Sequence, residues 1–354
     1  MKNTKKKAYI LNQKIDHEFN AAGKAMRDVF KVFTDNGVKI MPGVPKTAPK
    51  YLKALDIPIL LWHIWFVLKP GDYCIFSFPE NKLKIKLLDK FAKKRNIKTV
   101  CFVNDINSIR GGDFDKPEIK EWIKKDMELI GSATIILAPN VNSKQFLIEQ
   151  GVTSQIITVG TWDYIIADND FPIKCRVHTE GEKWQIAFAG NLNKAEFISK
   201  LDEVKGDNIF FKLWGNCDRV IDNSRNHEHM GSVSPEELPH YVTACHFGLV
   251  WDGDGVHELS GGLGEYLRYN NSHKCGLYLA CGLPVFVWKN AGLSDFVIEN
   301  KCGFVIDNLD EISTILDKMT ETEYQELLSN VKKVSENVKK GYYLKNALSE
   351  MFSS

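Results

Sequence analysis

The chain has 354 residues, and its 46 lysines and arginines are balanced by 45 aspartates and glutamates, for a formal net charge of +1. This balance argues against a nucleic-acid partner, which requires a basic surface. The most hydrophobic run, Ile57 to Leu68, is shorter than the ~20 residues that cross a bilayer. The apolar segment after the basic start is also too short for a signal peptide.

The eight cysteines are scattered, form no CxxC pair and lie mostly in apolar runs. Reduced core thiols have this distribution. Because disulfides are rare in reducing compartments, the pattern predicts a cytoplasmic protein. The length of the chain favours two domains.

The first half of the chain alternates short apolar runs with segments of helical periodicity. This alternation is typical of a parallel sheet covered by helices on both faces. The segment Ile57 to Leu68 is apolar all round, which favours a buried helix or one that faces a partner. The predicted strands of this half are Ala8–Leu11, Val38–Met41, Tyr73–Phe78, Lys98–Val103 and Ala133–Leu137, and the predicted helices cover 21–35, 79–94, 117–130 and 143–150.

In such sheets, function is carried by the loops at the carboxyl ends of strands. Two of these loops are informative, Asn12–Asn20 and the segment NDINSIRG that begins at Asn104. Asp105 directly follows a predicted strand, so it is a candidate general base. The same aspartate could instead close an Asx turn or cap a helix.

The alternation stops at Thr158 to Trp184, which we interpret as the domain boundary. We expect an N-terminal domain at 1–165, a C-terminal domain at 166–338, and a last helix at 339–354 that packs back on the N-terminal domain. The predicted strands of the second domain are Gln185–Ala189, Ile209–Trp214, Phe247–Trp251, Pro284–Trp288 and Cys302–Ile306.

The stretch from Glu258 to Asp295 organises the second domain. It reads as a loop containing Gly261, Gly262 and Gly264, a helix at about 272–281, a strand, and a second loop. Ser272 or Asn271 could cap the helix, and Lys274 lies in its first turn. The free N–H groups, the helix dipole and this lysine would favour an anion such as a diphosphate. The alternative is an amphipathic surface helix without a ligand.

Several kinds of chemistry lack their sequence signatures. No GxGxxG follows the first strand, and GxxxxGK[ST] is absent. His227-x-His229 lacks the spacing of a helical zinc pair and is expected in a solvated polar loop. Asp252-x-Asp254 could share a divalent metal that holds a diphosphate. We favour a metal-free site, because the nearby lysine at the helix start could neutralise phosphate by itself.

The segments YNNSHKCGLYLACGLPVFVW, AGLSDFVIENKCGFVI, NDINSIRG and GLVWDGDG together resemble a bacterial glycosyltransferase family. This family has the GT-B fold, with two Rossmann-like domains, a cleft between them and a C-terminal helical tail. It contains galactofuranosyltransferases of surface-polysaccharide synthesis and the glucosyltransferase that extends GlcNAc on serine-rich-repeat adhesins. The resemblance spans most of the chain and is most specific in residues 247–306.

The resemblance implies a UDP-sugar donor site without a cofactor or a metal. Asp105 would be catalytic, and Arg110 would lie on the acceptor side. Ala21 replaces a hydroxyl residue of the glucosyltransferase branch, and Asn104 replaces the family's usual histidine. The residues implied in donor binding are Asn20, Ala21, Gly190, Asn191, Lys194, Trp214, Ser272, His273, Lys274, Cys275, Gly276 and Leu277.

The expected activity is therefore transfer of a hexose, galactofuranose or glucose, to a glycan, a glycoprotein-linked sugar or a lipid-linked sugar. The alternatives are a UDP-sugar epimerase of the same fold and a non-catalytic GT-B partner subunit. A homo-oligomer is expected, and Ile57 to Leu68 could be its contact or a docking surface at the inner face of the membrane.

Overall fold

The computed structural model describes residues 6–12, 21–44, 48–111, 114–166, 171 and 177–354. These residues separate into two compact units. The N-terminal unit is drawn from Met1–His17, Val29–Val159 and Leu344–Ser354, and the C-terminal unit from Glu18–Asp28 and Gly160–Tyr343. The predicted boundary at 165/166 stays a prediction.

The N-terminal unit is built on a parallel sheet in the order β2-β1-β3-β4-β5-β6. Its strands are β1 Ala8–Leu11, β2 Lys39–Met41, β3 Tyr73–Phe78, β4 Lys98–Val103, β5 Ile135–Ala138 and β6 Gln155–Thr158. The helices before the second sheet are α1 Ala21–Asp35, α2 Lys50–Lys53, α3 Asp56–Phe66, α4 Lys82–Lys94, α5 Pro117–Ile130 and α6 Val141–Glu149.

The C-terminal unit has a second parallel sheet, in the order β12-β11-β10-β7-β8-β9. Its strands are β7 Trp184–Ala189, β8 Ile209–Trp214, β9 His227–His229, β10 Phe247–Val250, β11 Val285–Trp288 and β12 Gly303–Ile306. The remaining helices are α7 Leu238–Val242, α8 Gly261–Tyr266, α9 His273–Ala280, α10 Ser294–Glu299, α11 Asp310–Lys318, α12 Glu321–Lys339 and α13 Tyr342–Ser353.

The central strands are buried on both faces because helices cover each side of the sheet. Along β7, Ile186 and Phe188 belong to one apolar core, while Ala187 and Ala189 belong to the other. This division follows from the alternation of side chains along a strand. The predicted α/β architecture with parallel sheets is confirmed.

Several local predictions are wrong. The glycines predicted to form a loop at 261–264 begin α8 instead. His227 and His229 lie in β9 rather than in a solvated loop, and His227 is buried. Residues Glu196–Glu203, after β7, form a 3-10 helix. Short edge strands and single turns of helix give little periodicity, so pattern analysis misses them.

Helix α3 is neither wholly buried nor wholly exposed. Leu60, His63 and Ile64 face the core, whereas Trp62 is 54% exposed and Phe66 is 75% exposed. Of the two predicted alternatives, a fully buried helix does not fit these exposures, and a helix that faces a partner stays a prediction. Helix α3 has one open apolar face. No helix among the described residues combines the length and apolar character needed to cross a bilayer.

Helix α13 belongs to the N-terminal unit, although the C-terminal unit precedes it in the chain. The ring of Phe352 packs edge-on against that of Tyr73 at a centroid distance of 5.4 Å. Lys98 is the first residue of β4, and its Nζ donates a hydrogen bond of 3.1 Å to the main-chain oxygen of Ser354. The apolar residues that α13 buries are Leu344, Ala347, Leu348 and Met351.

Candidate functional site

A cavity of about 340 Å³ opens in the C-terminal unit, where β7 and β8 end and α9 begins. The carboxyl ends of parallel strands and the first turns of helices are the usual ligand sites of open α/β sheets. The cavity is lined by Tyr164, Ala189, Gly190, Asn191, Lys194, Trp214, Gly215, Asn216, Ser232, Val233, Pro235, Leu238, His273, Lys274 and Leu277.

Two glycines form the floor where the strands end. Gly190 donates its N–H to the carbonyl of Trp214 at 3.0 Å. A Cβ on Gly215 would lie 1.8 Å from the carbonyl oxygen of Gly190, and its φ is +146°, which side chains rarely adopt. A Cβ on Gly190 would lie 2.9 Å from Lys274 Cε. The lack of a side chain at Gly215 therefore lets the two strand ends pack together, and the lack of one at Gly190 lets Lys274 approach them.

Alanine substitutions at these two glycines should have different effects. Gly190→Ala meets only the far end of a flexible lysine, so we expect nearly unchanged stability but weaker anion binding because Lys274 is displaced. Gly215→Ala meets backbone at a strained φ and should lose about 2–4 kcal/mol of unfolding free energy. Thermal denaturation measures the stability of each variant, and calorimetric titration with UDP measures its anion binding. Equal losses of stability in the two variants would contradict this account of the floor.

Lys274 is the first of two cations in the cavity wall. Its Nζ lies 2.9 Å from Asp252 Oδ2, and its side chain is only 18% exposed. The ammonium also lies 5.2 Å from the centre of the Phe188 ring. Asp252 therefore holds the lysine in place and neutralises it in the absence of an anionic ligand.

The start of α9 differs from the prediction in its capping. Ser272 occupies the N-cap position, but its side chain makes no capping hydrogen bond. The amide of Asn271 donates instead to the carbonyl of Gly160 at 3.2 Å. The expected cap by the Ser272 side chain is therefore not formed. The first N–H groups of α9 lack intrahelical partners, as at any helix start, and remain suited to an anion.

Lys194 is the second cation on the wall. It follows β7 in a tight turn, in which its N–H donates to the carbonyl of Asn191 at 3.2 Å. Its side chain is exposed and makes no ion pair with any residue that the structure describes. A flexible, exposed lysine of this kind can move towards a ligand.

His273 presents a neutral imidazole to the cavity. Burial, and secondarily the charge of Lys24, lower its pKa to about 3. Its Nε2 is buried and has no hydrogen-bond partner within the described ranges. Its ring lies 4.9 Å from that of Tyr164, which also lines the cavity. A buried polar atom without a partner carries a desolvation cost that a ligand hydrogen bond would offset.

The structure brings most of the predicted donor residues together. Gly190, Asn191, Lys194, Trp214, His273, Lys274 and Leu277 all line the cavity. Ser272, Cys275 and Gly276 do not, and Cys275 is fully buried behind the wall. Asn20 lies outside the described residues. Ala21 is the first residue of α1, and its side chain lies outside them too.

Part of the cavity wall was not predicted from the sequence. Tyr164 lies in the segment interpreted only as a domain boundary. Pro235 lies in the turn before α7. Asn216, after the Gly215 turn at the end of β8, was a detectable signal of the same kind as Asn191 after β7.

Asp105 lies in the N-terminal unit, directly after β4. Its Oδ2 is 2.5 Å from an Arg110 nitrogen in the 3-10 helix at Asn107–Gly111. Burial raises the pKa of this carboxyl to about 6, against the opposing effect of the Arg110 charge and of a hydrogen bond from the Ile106 backbone. A carboxyl with such a pKa can exchange protons near neutral pH.

A second, more polar cavity of about 430 Å³ lies in the N-terminal unit, beside the ends of β1 and β3. Neither Asp105 nor Arg110 contributes to its wall. Its carboxylates, amides and ammonium groups can all hydrogen-bond sugar hydroxyls. It is lined by Asn12, Lys53, Asp56, Ile57, Pro79, Glu80, Asn81 and Lys84.

The candidate metal ligands do not cluster. Asp252 is paired with Lys274, and Asp254 lies against Gly261. Within the described residues no group of three or more histidine, cysteine, aspartate or glutamate side chains could hold a metal. His229 Nε2 contacts the carbonyl of Gly215 at 3.0 Å, which is a structural hydrogen bond.

Two units, each with a parallel sheet, and a cation-bearing cavity at strand ends define an α/β protein of the GT-B type. The solved sucrose-phosphate synthase of Thermosynechococcus elongatus has the same fold, with a TM-score of 0.61 at 11% identity over 98% of both chains.

The chain belongs to the glucosyltransferase 3-like family. Residues 7–161 match the N-terminal domain of this family, and residues 186–351 match its C-terminal domain. The chain is 29% identical to the beta-1,6-galactofuranosyltransferase WbbI of Escherichia coli over 80% of each chain. It is 27% identical to glucosyltransferase 3 of Streptococcus gordonii over 78% of each. The chain is therefore a glycosyltransferase.

Proposed function

We propose that this glycosyltransferase moves a hexose from a UDP-sugar to a glycan, a glycoprotein-linked sugar or a lipid-linked sugar. The proposal is supported by the names of the relatives, which are a galactofuranosyltransferase and a glucosyltransferase. Transfer is favoured over epimerisation because both relatives are named as transferases. Galactofuranose is the favoured donor sugar because of the segments NDINSIRG and YLRYNN, and glucose is the second candidate. The departure of Ala21 from the hydroxyl residue of the glucosyltransferase branch weakens the assignment of glucose.

The observation that carries the proposal is the position of Lys274 in the cavity, at the start of α9. Glycosyl transfer releases a diphosphate, whose developing charge needs fixed cations and N–H donors. Lys274 and Lys194 would supply the charge, and the first turn of α9 would supply the N–H groups. UDP would displace Asp252 from Lys274, because a diphosphate carries more charge than one carboxylate.

We propose that Asp105 acts on the acceptor. With its raised pKa of about 6, the carboxylate could accept the proton of the attacking hydroxyl if the reaction inverts configuration. In a retaining reaction it would orient that hydroxyl. Arg110 would hold the carboxylate from the acceptor side. The polar cavity of the N-terminal unit is a candidate for binding the rest of the acceptor sugar.

Calorimetric titration with UDP, with and without EDTA, tests the donor site and its independence of metal. We expect micromolar binding, about −8 kcal/mol, that is unchanged by EDTA. GDP serves as the control for base selectivity at the Trp214 side of the cavity. Absence of UDP binding would contradict the proposed function. Loss of binding in EDTA would instead identify Asp252 and Asp254 as metal ligands.

The proposal includes a cytoplasmic homo-oligomer, with peripheral contact at the inner face of the membrane as the other use of the same surface. It is supported by the open face of α3, where Trp62, Trp65 and Phe66 are exposed. Contiguous exposed apolar side chains commonly mark such interaction sites. Light scattering on the purified chain and on the Trp62→Ser variant distinguishes an oligomer contact from a membrane contact at this face.

A further inference from the structure

A buried ion pair lies in the first half of α1, and neither of its members lines the cavity. Lys24 and Asp28 are each only 6% exposed, and Lys24 Nζ lies 2.5 Å from both oxygens of Asp28. Both residues belong to the C-terminal unit. Burying two charges is costly, and apolar residues of similar size often stabilise a fold as well or better. A contribution to stability alone therefore does not account for the pair.

The pair binds both polar groups of one peptide segment. Lys24 Nζ donates to the carbonyl of Ile165 at 2.8 Å, and the N–H of Ile165 donates to Asp28 Oδ2 at 3.0 Å. The ammonium also lies 4.3 Å from the centre of the Tyr164 ring. Hydrogen bonds at two points and a cation–π contact fix the backbone and the side chain of this segment together.

The segment held in this way is part of the cavity wall. The hydroxyl of Tyr164 donates to the carbonyl of Pro235 at 2.6 Å, and its ring lies 4.9 Å from that of His273. All three residues line the cavity. A second link between α1 and this wall is the ion pair of Arg27 with Glu236, the residue after Pro235.

We propose that Lys24 and Asp28 are positioning residues of the donor site. They hold Tyr164, and through it Pro235 and His273, in the geometry that binds UDP, and the unpartnered Nε2 of His273 hydrogen-bonds the bound nucleotide. This inference rests on the proposed function. It adds that a helix far from the binding loops in sequence determines the shape of the donor pocket.

The experiment is a calorimetric titration with UDP at a temperature where circular dichroism shows every variant folded. The double variant Lys24→Met with Asp28→Leu, called the clamp variant, removes the ion pair without leaving one charge buried alone. We expect its affinity for UDP to fall about tenfold, as when the supporting shell of a ligand site is lost. The matched control is Lys31→Met with Asp35→Leu, an exposed i,i+4 pair at 3.0 Å on the same helix, which should bind as the wild type does.

A second substitution, at His273, distinguishes a positioning role of the ion pair from general destabilisation of the fold. His273→Phe keeps a ring against Tyr164 but removes Nε2, and should weaken UDP binding in the wild-type background. In the clamp variant the same change should cost much less, because Nε2 is already misplaced. Additive effects would overturn the inference, as would wild-type affinity in the clamp variant. If wild-type protein itself fails to bind UDP, the proposed function fails with it.

A milder variant keeps the test informative if the clamp variant does not fold. Tyr164→Phe removes only the hydroxyl bond to Pro235, so the core is preserved. We expect UDP binding to weaken a few-fold, with the same non-additivity towards His273→Phe. Unchanged binding in this variant would overturn the inference.

Discussion

Replacing Lys274 with methionine is expected to lower the rate of hexosyl transfer by ~10²–10³, the usual cost of removing one group that stabilises a developing anion. Methionine preserves the packing of the stem against Gly190 and Phe188 but removes the charge. Most of the loss should fall on kcat, since the diphosphate gains charge as the bond to the sugar breaks. UDP affinity, measured by calorimetry, should also fall.

The control for this variant is Lys289→Met. Lys289 directly follows β11 and, like Lys274, is paired with an aspartate, Asp307, but it does not line the cavity. It should keep wild-type activity and UDP affinity. Equal losses in both variants would show that general charge, rather than the position of Lys274, is responsible.

Replacing Asp105 with asparagine is expected to lower the transfer rate by ~10²–10⁴ if the carboxylate acts as general base. UDP affinity should be unchanged, because Asp105 is not part of the cavity that holds the diphosphate cations. Asp115→Asn, at an exposed carboxylate paired with Lys120, is the control and should be fully active. A fully active Asp105→Asn variant would exclude the carboxylate from the chemistry.

The pH profile of the wild type gives an independent measure of the same group. A base must be deprotonated, so kcat/KM should rise with pH through about 6, the raised pKa of Asp105. The folded pKa lies above the usual value of 3.8, so the fold favours the neutral carboxyl. Its contribution to stability is therefore fully present below pH 3.8 and is lost as pH rises through about 6. A rate that does not change between pH 5 and 7.5 would contradict this assignment.

The sheets were predictable because β3, β7 and β10 are continuous apolar runs bounded by turn residues, a pattern that parallel strands buried on both faces impose. Lys274 was predictable because it lies in the first turn of a helix that follows a polar loop. Family resemblance, rather than periodicity, pointed to Lys194 and Trp214.

Residues whose role depends on contacts distant in the chain could not be predicted in this way. Lys24 and Asp28 read as one more i,i+4 pair, indistinguishable in sequence from Lys31 and Asp35. Lys24 bonds to Ile165, 141 positions away in the chain, and this first pair is buried, whereas the second pair is exposed. Tyr164 was missed for the same reason, since its hydroxyl bonds to a residue 71 positions further on.

The place of α13 in the chain has a consequence for biosynthesis. The N-terminal unit buries Leu344, Ala347, Leu348 and Met351, yet these residues are translated after the whole of the C-terminal unit. A nascent chain that has emerged only as far as Val159 lacks the helix whose Phe352 contacts Tyr73. The first sheet therefore emerges from the ribosome with an uncovered apolar surface. The first unit to emerge is the last to be completed.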